Sequence, residues 1–311
     1  MYDTINIWIG KDLVANTDLL ATIPYSLTSI SNEGYNRKTE QSYISGNIAN
    51  YKVTASSNGV SLKGSLAKLY LGDNLQILTR QDSQRAIELL ADTLHLPIQK
   101  AKVTRLDIGY NFKTKYPVES YYPFLGDARY LKRLVQPKSI YYSNNIRQLV
   151  FYNKIAEAKS KGALIPSIYQ DSNLLRYELR YLKRVDKQLN NNVLVRQIYN
   201  EEFYIKAIES WYSNYKTINK VHSLTLDNYT MNKPKDYFHY LMLLKLKEIG
   251  LNKALEEVEG LRAKGVFDRG EYYSRLKRDI KKHYSSANII SDSEHILELD
   301  KKVSRVVKNF R

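Results

Sequence analysis

The chain has 311 residues, 43% of them hydrophobic, enough to bury the core of one large domain or two ordinary ones. Its 48 Lys and Arg exceed 32 Asp and Glu, a formal charge of +16, and such a surplus points to a polyanionic partner such as nucleic acid, because each cation set on a phosphate releases counterions. Having no cysteine, the chain has no disulfides, thiolate zinc sites or thiol catalysis, and no apolar run approaches the roughly 20 residues of a membrane span.

Met1–Gly10 lacks a basic stretch followed by a long apolar one, so no signal peptide is expected and the chain is assigned to the cytoplasm. Ile5–Ile9 alternates as a strand. Tyr43–Ala55 and Gly59–Leu71 read as paired strands joined near Ser56–Gly59. Asp82–Leu94 has apolar residues at helical spacing, with Asp82 or Ser83 placed to cap it. Lys102–Phe112 is a strand, Tyr116–Leu125 begins a short helical stretch, and Ser139–Tyr142 and Gln148–Tyr152 are further strands. A helix begins at or just after Tyr152 and stops at Gly162, and Leu174–Leu182 is another strand. Glu201–Tyr215, Lys235–Ile249, Leu251–Lys264, Arg269–His283 and Ser293–Val307 are amphipathic helices. The expected fold is α+β, with residues 1–190 as one domain and 191–311 as a helical region.

Successive side chains alternate across a sheet, so several of these strands have one dry face and one charged face. Lys102–Phe112 puts Leu106, Ile108, Tyr110 and Phe112 on one side, and Arg105, Asp107 and Asn111 on the other. Leu174–Leu182 opposes Leu175, Tyr177 and Leu179 to Arg176, Glu178 and Arg180. A further apolar run ends in Gly72-Asp73-Asn74. One interpretation is a solvent-facing sheet with cross-strand ion pairs. The other is a substrate groove whose isolated carboxylates suit a hard cation.

Val103-Thr104-Arg105-Leu106-Asp107-Ile108-Gly109-Tyr110-Asn111-Phe112 resembles the Arg-x-Asp strand of the rolling-circle plasmid initiators of Gram-positive bacteria. Arg147-Gln148-Leu149-Val150-Phe151-Tyr152-Asn153-Lys154-Ile155-Ala156-Glu157 resembles their Tyr-Asn-Lys-x-x-Glu segment, and Leu175-Arg176-Tyr177-Glu178-Leu179-Arg180 their next strand, in the same order. Gly64-Ser65-Leu66-Ala67-Lys68 with Gly72-Asp73-Asn74 is similar to a stretch of the filamentous-phage gene II replication proteins, which carry a His where this chain has Asp73. The resemblance spans about residues 60–185. It implies an HUH-related endonuclease fold with a central antiparallel sheet flanked by helices, acting in a bacterial host cell. Two features depart from the pattern. There is no His-x-His pair, since His95, His222, His239, His283 and His295 are scattered, and Asn111 stands where the plasmid proteins tend to have a second Asp.

The resemblance implies that Tyr152 attacks a phosphodiester of origin DNA, leaving a 5′-phosphotyrosyl link and a free 3′-hydroxyl. Lys154 or a metal would deal with the phenol proton. Without the paired histidines the metal would be Mg²⁺ or Mn²⁺, held by Asp107 with Asp73 and Glu178, while Arg105, Arg176 and Arg180 grip flanking phosphates. Host helicase and polymerase, and a second copy of the chain, are the further partners implied. Arg269–His283 carries Arg275, Lys277, Arg278 and Lys281 with Tyr272, Leu276 and Ile280 at helical spacing, as a helix entering a major groove would. Each assignment has a plainer rival: Lys154 and Glu157 as an i, i+3 ion pair, Glu178 as a brace for Arg176, the basic helix as a solvated face. At the level of the whole chain the alternatives are a non-enzymatic origin-binding protein and a mobilisation relaxase.

Overall fold

The computed structural model describes residues 1–189, 192–221, 223–224, 232–285, 290–291 and 293–310. In chain order the elements are β1 (Tyr2–Gly10), α1 (Leu19–Thr22), β2 (Ser29–Asn36), β3 (Gln41–Ile48), β4 (Tyr51–Ser56), β5 (Gly59–Ser65), α2 (Leu66–Leu71), α3 (Arg80–Leu94) and β6 (Lys102–Thr114). There follow β7 (Leu125–Ala128), β8 (Lys132–Gln136), β9 (Ser139–Ser143), β10 (Arg147–Asn153), α4 (Lys154–Ser160), β11 (Asn173–Tyr181), α5 (Val185–Leu189), α6 (Glu201–Lys216) and β12 (Ile218–Lys220). The remaining helices are α7 (Pro234–Ile249), α8 (Leu251–Ala263), α9 (Gly270–Ser285) and α10 (Glu294–Asn309).

The fold is α+β. Ten strands form one antiparallel sheet in the order β2-β3-β4-β5-β1-β6-β11-β10-β9-β8, flanked by helices and followed by a helical region. The strands that carry the sequence motifs, β6, β11 and β10, lie side by side near its middle. Their apolar residues face α6 and α10, burying Leu106, Ile108, Phe151, Tyr177, Trp211, Leu299 and Val303 in one core. Ring packing sets much of it: Phe151 stacks on Tyr177 at 4.6 Å between centroids, and Tyr177 meets Trp211 at 4.9 Å.

Several local expectations change. The first strand extends back to Tyr2. Tyr43–Ala55 is two strands, because the chain reverses at Ala49, whose φ is 50°. Gly59–Leu71 is a strand only to Ser65. There the Ser65 hydroxyl accepts from the Lys68 N–H, the good helix formers Leu66–Leu71 make α2, and Gly72 closes it at φ 81°. The α3 cap is Thr79, with Asp82 at the third helical position completing a capping box.

The division expected at 190/191 falls on residues outside those described, as does His222. Of the helices beyond it, α6 and α10 share the sheet's core, while α7, α8 and α9 pack on one another. No helix among the described residues is long and apolar enough to cross a membrane.

Candidate active site

The polar faces of β1, β6, β11 and β10 meet over a cavity of about 600 Å³ whose lining includes Asp3, Arg105, Asp107, Tyr152, Glu178 and Arg180. Register explains the convergence. Tyr152 pairs with Arg176 and Arg176 with Asn111, whereas Gln148 pairs with Arg180 and Arg180 with Asp107. Between these two rows Val150 pairs with Glu178, and Glu178 with Gly109. The missing side chain of Gly109 makes room, since a Cβ there would come within 2.9 Å of Glu178 and 3.0 Å of Arg176.

Glu178 is the hub. It is 3% exposed, accepts the Tyr152 hydroxyl at 2.8 Å on Oε1 and Arg180 Nε at 2.7 Å on Oε2, and also accepts Arg176 Nε. Burial alone would raise its pKa, but the two guanidiniums overcome that and hold its carboxyl well below the usual carboxylate range. Tyr152 is partly exposed, and burial followed by the Glu178 charge pushes its phenol well above the ordinary tyrosine value. The resting nucleophile candidate is therefore a neutral phenol donating to an ionised carboxylate.

Arg176, 2% exposed, also reaches Asp3 Oδ2 at 2.6 Å and Asn111 Oδ1 at 2.9 Å. Arg105 grips Asp107 with a two-pronged contact, Nε to Oδ1 at 2.9 Å and Nη2 to Oδ2 at 2.7 Å. Burial nevertheless outweighs that pairing and pushes Asp107 up to about 6. Lys154 opens α4 directly after the strand, capped by Asn153, and its Nζ donates to Glu157 at 2.7 Å. It is 1% exposed and lies 5.8 Å from the Tyr152 ring; burial, then the nearby Arg176, lowers its pKa.

Residues 1–214 match the family model for the N-terminal part of the phage replication-associated protein of the gene II type. The chain belongs to that family. It is a rolling-circle replication initiator of the filamentous-phage gene II type, a class of endonuclease that binds origin DNA. No curated protein matches the chain.

In this gene II-type initiator Tyr152, Asp107, Glu178, Arg105 and Arg180 come together in one cavity, with Lys154 buried beneath it. Arg176 is enclosed by protein groups and braces the site from below. Asp73 stands outside the cavity, in the loop after α2, where its Oδ1 accepts the backbone N–H of Leu75 at 2.8 Å and of Gln76 at 3.2 Å. Arg275, Lys277, Arg278 and Lys281 are far along the chain on α9. That helix buries Tyr273, not Tyr272, and Lys277 pairs with Glu259, while Arg275, Arg278 and Lys281 are exposed.

One acid missing from the sequence expectations is Asp3. It is 5% exposed, bound to Arg176, to Asn74 and to the Ser65 hydroxyl. The pairing of β1 with β6 runs Tyr2 to Ile108 and then Ile5 to Leu106, so Asp3 and Thr4 form a bulge opposite Asp107 that turns the Asp3 carboxylate into the site. Extending the first strand back to Tyr2 would have exposed the signal, an acid within an otherwise apolar or neutral alternation.

Proposed function

We propose that the protein nicks single-stranded origin DNA by transesterification through Tyr152. The observation that carries this reading is the convergence of the Tyr152 phenol with Glu178 and Asp107, from three strands far apart in sequence, in one arginine-rimmed cavity. Tyr152 Oη attacks the scissile phosphorus as the P–O3′ bond breaks. The 3′ oxygen leaves with the bonding electron pair and takes up a proton, and the 5′ phosphate stays on the tyrosine. Host polymerase then extends the 3′-hydroxyl on a strand opened by host helicase, and attack by a 3′-hydroxyl reverses the step to rejoin the strand.

The phenol proton has a route. Glu178 is a weak acceptor while two guanidiniums hold it, but Arg180, with its side chain 23% exposed, is open to a DNA phosphate. A phosphate that draws Arg180 away leaves Glu178 a stronger base, hydrogen-bonded already to the phenol. Arg105, 31% exposed, is similarly placed to take a phosphate and release Asp107. Lys154 contributes a buried cation near the ring as negative charge develops on Oη.

No three His, Cys, Asp or Glu side chains form a ready metal centre among the described residues. Mg²⁺ and Mn²⁺ are, however, commonly held by one or two carboxylates together with substrate phosphate. Asp107 and Glu178 are hard oxygen donors of that kind, and either would take a cation in place of a guanidinium drawn off by the DNA. Asp3 borders the same cavity, and Asp73 would have to leave its turn to join them. A bound cation would polarise the phosphate and stabilise charge on the leaving oxygen.

The test is an end-labelled oligonucleotide bearing the origin nick site, with Mg²⁺ or Mn²⁺. Tyr152→Phe is expected to lower nicking by at least about a thousandfold and to abolish the protein–DNA adduct, with binding retained. Wild-type nicking by that variant would overturn the assignment.

A further inference from the structure

The polar face continues beyond the candidate active site, across β1, β5, β4 and β3. Its first row is Asn6, Lys63, Lys52 and Asn47, joined through consecutive strand pairs. Lys63 and Lys52 stand directly opposite each other, are exposed, and have no ion-pair partner among the described residues. Like charges in that position repel, so the arrangement costs stability unless an anion lies across it.

One row further lies a groove of about 700 Å³ whose lining includes Trp8 and Tyr43. Its floor includes the short side chains Thr54 and Ser56, and the charged residues lining it, Arg37 and Lys38, are both cations. Trp8 alternates with buried Ile7 and Ile9, which puts its indole, 37% exposed, on the polar face. Glycines support both rings. A Cβ on Gly59 would come 3.0 Å from the Trp8 ring, and one on Gly34 3.2 Å from that of Tyr43, whose hydroxyl is held by Asn32 at 3.0 Å. The Trp8 and Tyr43 rings, supported in place and partly open to water beside two cations, match a platform for unpaired bases, whose faces stack regardless of sequence. From Thr4, at the edge of the active-site cavity, to Trp8 is four residues of strand, about 14 Å.

We propose that this groove is a second DNA subsite, in which bases of the single strand flanking the scissile phosphate stack on Trp8 and Tyr43 while Lys52 and Lys63 neutralise the phosphates between groove and active site. That the strand in the groove flanks a scissile phosphate rests on the proposed cleavage at Tyr152; the stacking itself does not need cleavage to occur.

The chain has two tryptophans, and Trp211 is wholly buried, so Trp8 is the accessible tryptophan. Titrating the Tyr152→Phe protein with single-stranded oligonucleotides long enough to span both sites is expected to quench the exposed tryptophan signal. Duplex of the same length, or a short strand confined to the active site, should leave it unchanged. Trp8→Ala should weaken the long strand about tenfold and the short strand not at all. Lys52→Ala with Lys63→Ala should reduce the salt slope of long-strand binding by about 0.7 per lysine. If a saturating long strand leaves the tryptophan signal unaltered, or the duplex quenches it equally, the subsite is wrong even with nicking intact. If nicking by the wild type proves independent of Tyr152 while quenching persists, the cleavage reading falls and the subsite stands.

Discussion

Two faces of the same three strands are both buried, and opposite physics holds them. On one side of β6, β10 and β11, Phe151, Tyr177 and Trp211 stack in an apolar core whose burial is favourable residue by residue, at about 25 cal/mol per Å². On the other, Asp107, Arg176 and Glu178 are each at most 3% exposed, and burial works against every one of them. That face is stable only as a set, with each charge answering its neighbours. Charges held out of water act strongly on any anion that displaces one of them, and the proposed cleavage would use that property.

The comparison predicts different failures for single changes. Trp211→Ala should cost about 3–5 kcal/mol by cavity formation, and the molecules that still fold should nick DNA normally. Glu178→Gln removes one charge and no volume, yet leaves Arg176 and Arg180 short of a partner. It should cost a comparable 3–5 kcal/mol and also suppress nicking. Chemical denaturation with a nicking assay on the same preparations separates the two. If Glu178→Gln were as stable as the wild type, the polar face would not be the cooperative network described.

A smaller effect concerns a cation on the apolar side. Lys220 donates to the Tyr215 carbonyl at 3.3 Å and sits 3.6 Å over that ring, and burial lowers its pKa to about 8. The unfolded chain binds more protons than the folded one between this value and the ordinary lysine value. Stability should therefore rise with pH from about 8 to 10.5, by on the order of 3 kcal/mol at most. Lys220→Met is expected to raise stability near pH 7 and to flatten that slope in melting curves recorded across the range. An unchanged slope would place the lysine in a wetter environment.

The smallest expected stability effect is on α9. Arg275→Ala with Arg278→Ala should change stability by less than about 0.5 kcal/mol per residue, because both side chains are exposed. Binding of duplex origin DNA should weaken, with the salt slope reduced by about 1 for each arginine that contacts a phosphate. An unaltered slope would make the helix a solvated face.

The strands bearing the site were legible because alternation survives wherever one face is dry: Leu106–Phe112 and Leu175–Leu179 reveal their partition without coordinates. The stretch Gly59–Leu71 was not, because an apolar run of that length suits strand and helix alike, and only the Ser65 cap decides where one becomes the other. Asp73 accordingly reads as the end of a strand segment, whereas it caps a turn beside the sheet. Asp3 lies outside the alternation that marks Ile5–Ile9 as a strand, so the sequence pattern does not register it.

Taken alone, the amino-acid order determined the α+β class, the polar and apolar sides of the central strands, and most of the charged residues that line the candidate site, since these follow from local periodicity and residue chemistry. Tertiary structure decided what each of those residues experiences. Arg176 and Arg180 lie on one face of β11, on either side of Glu178, yet one is sealed among Asp3, Asn111 and Glu178 and the other opens toward solvent. Burial and partner charge are properties of strands brought together from distant parts of the chain, so the pairing of β1 and β10 with β6 and β11 sets the protonation of Tyr152 and Glu178, and no spacing within a single strand records it.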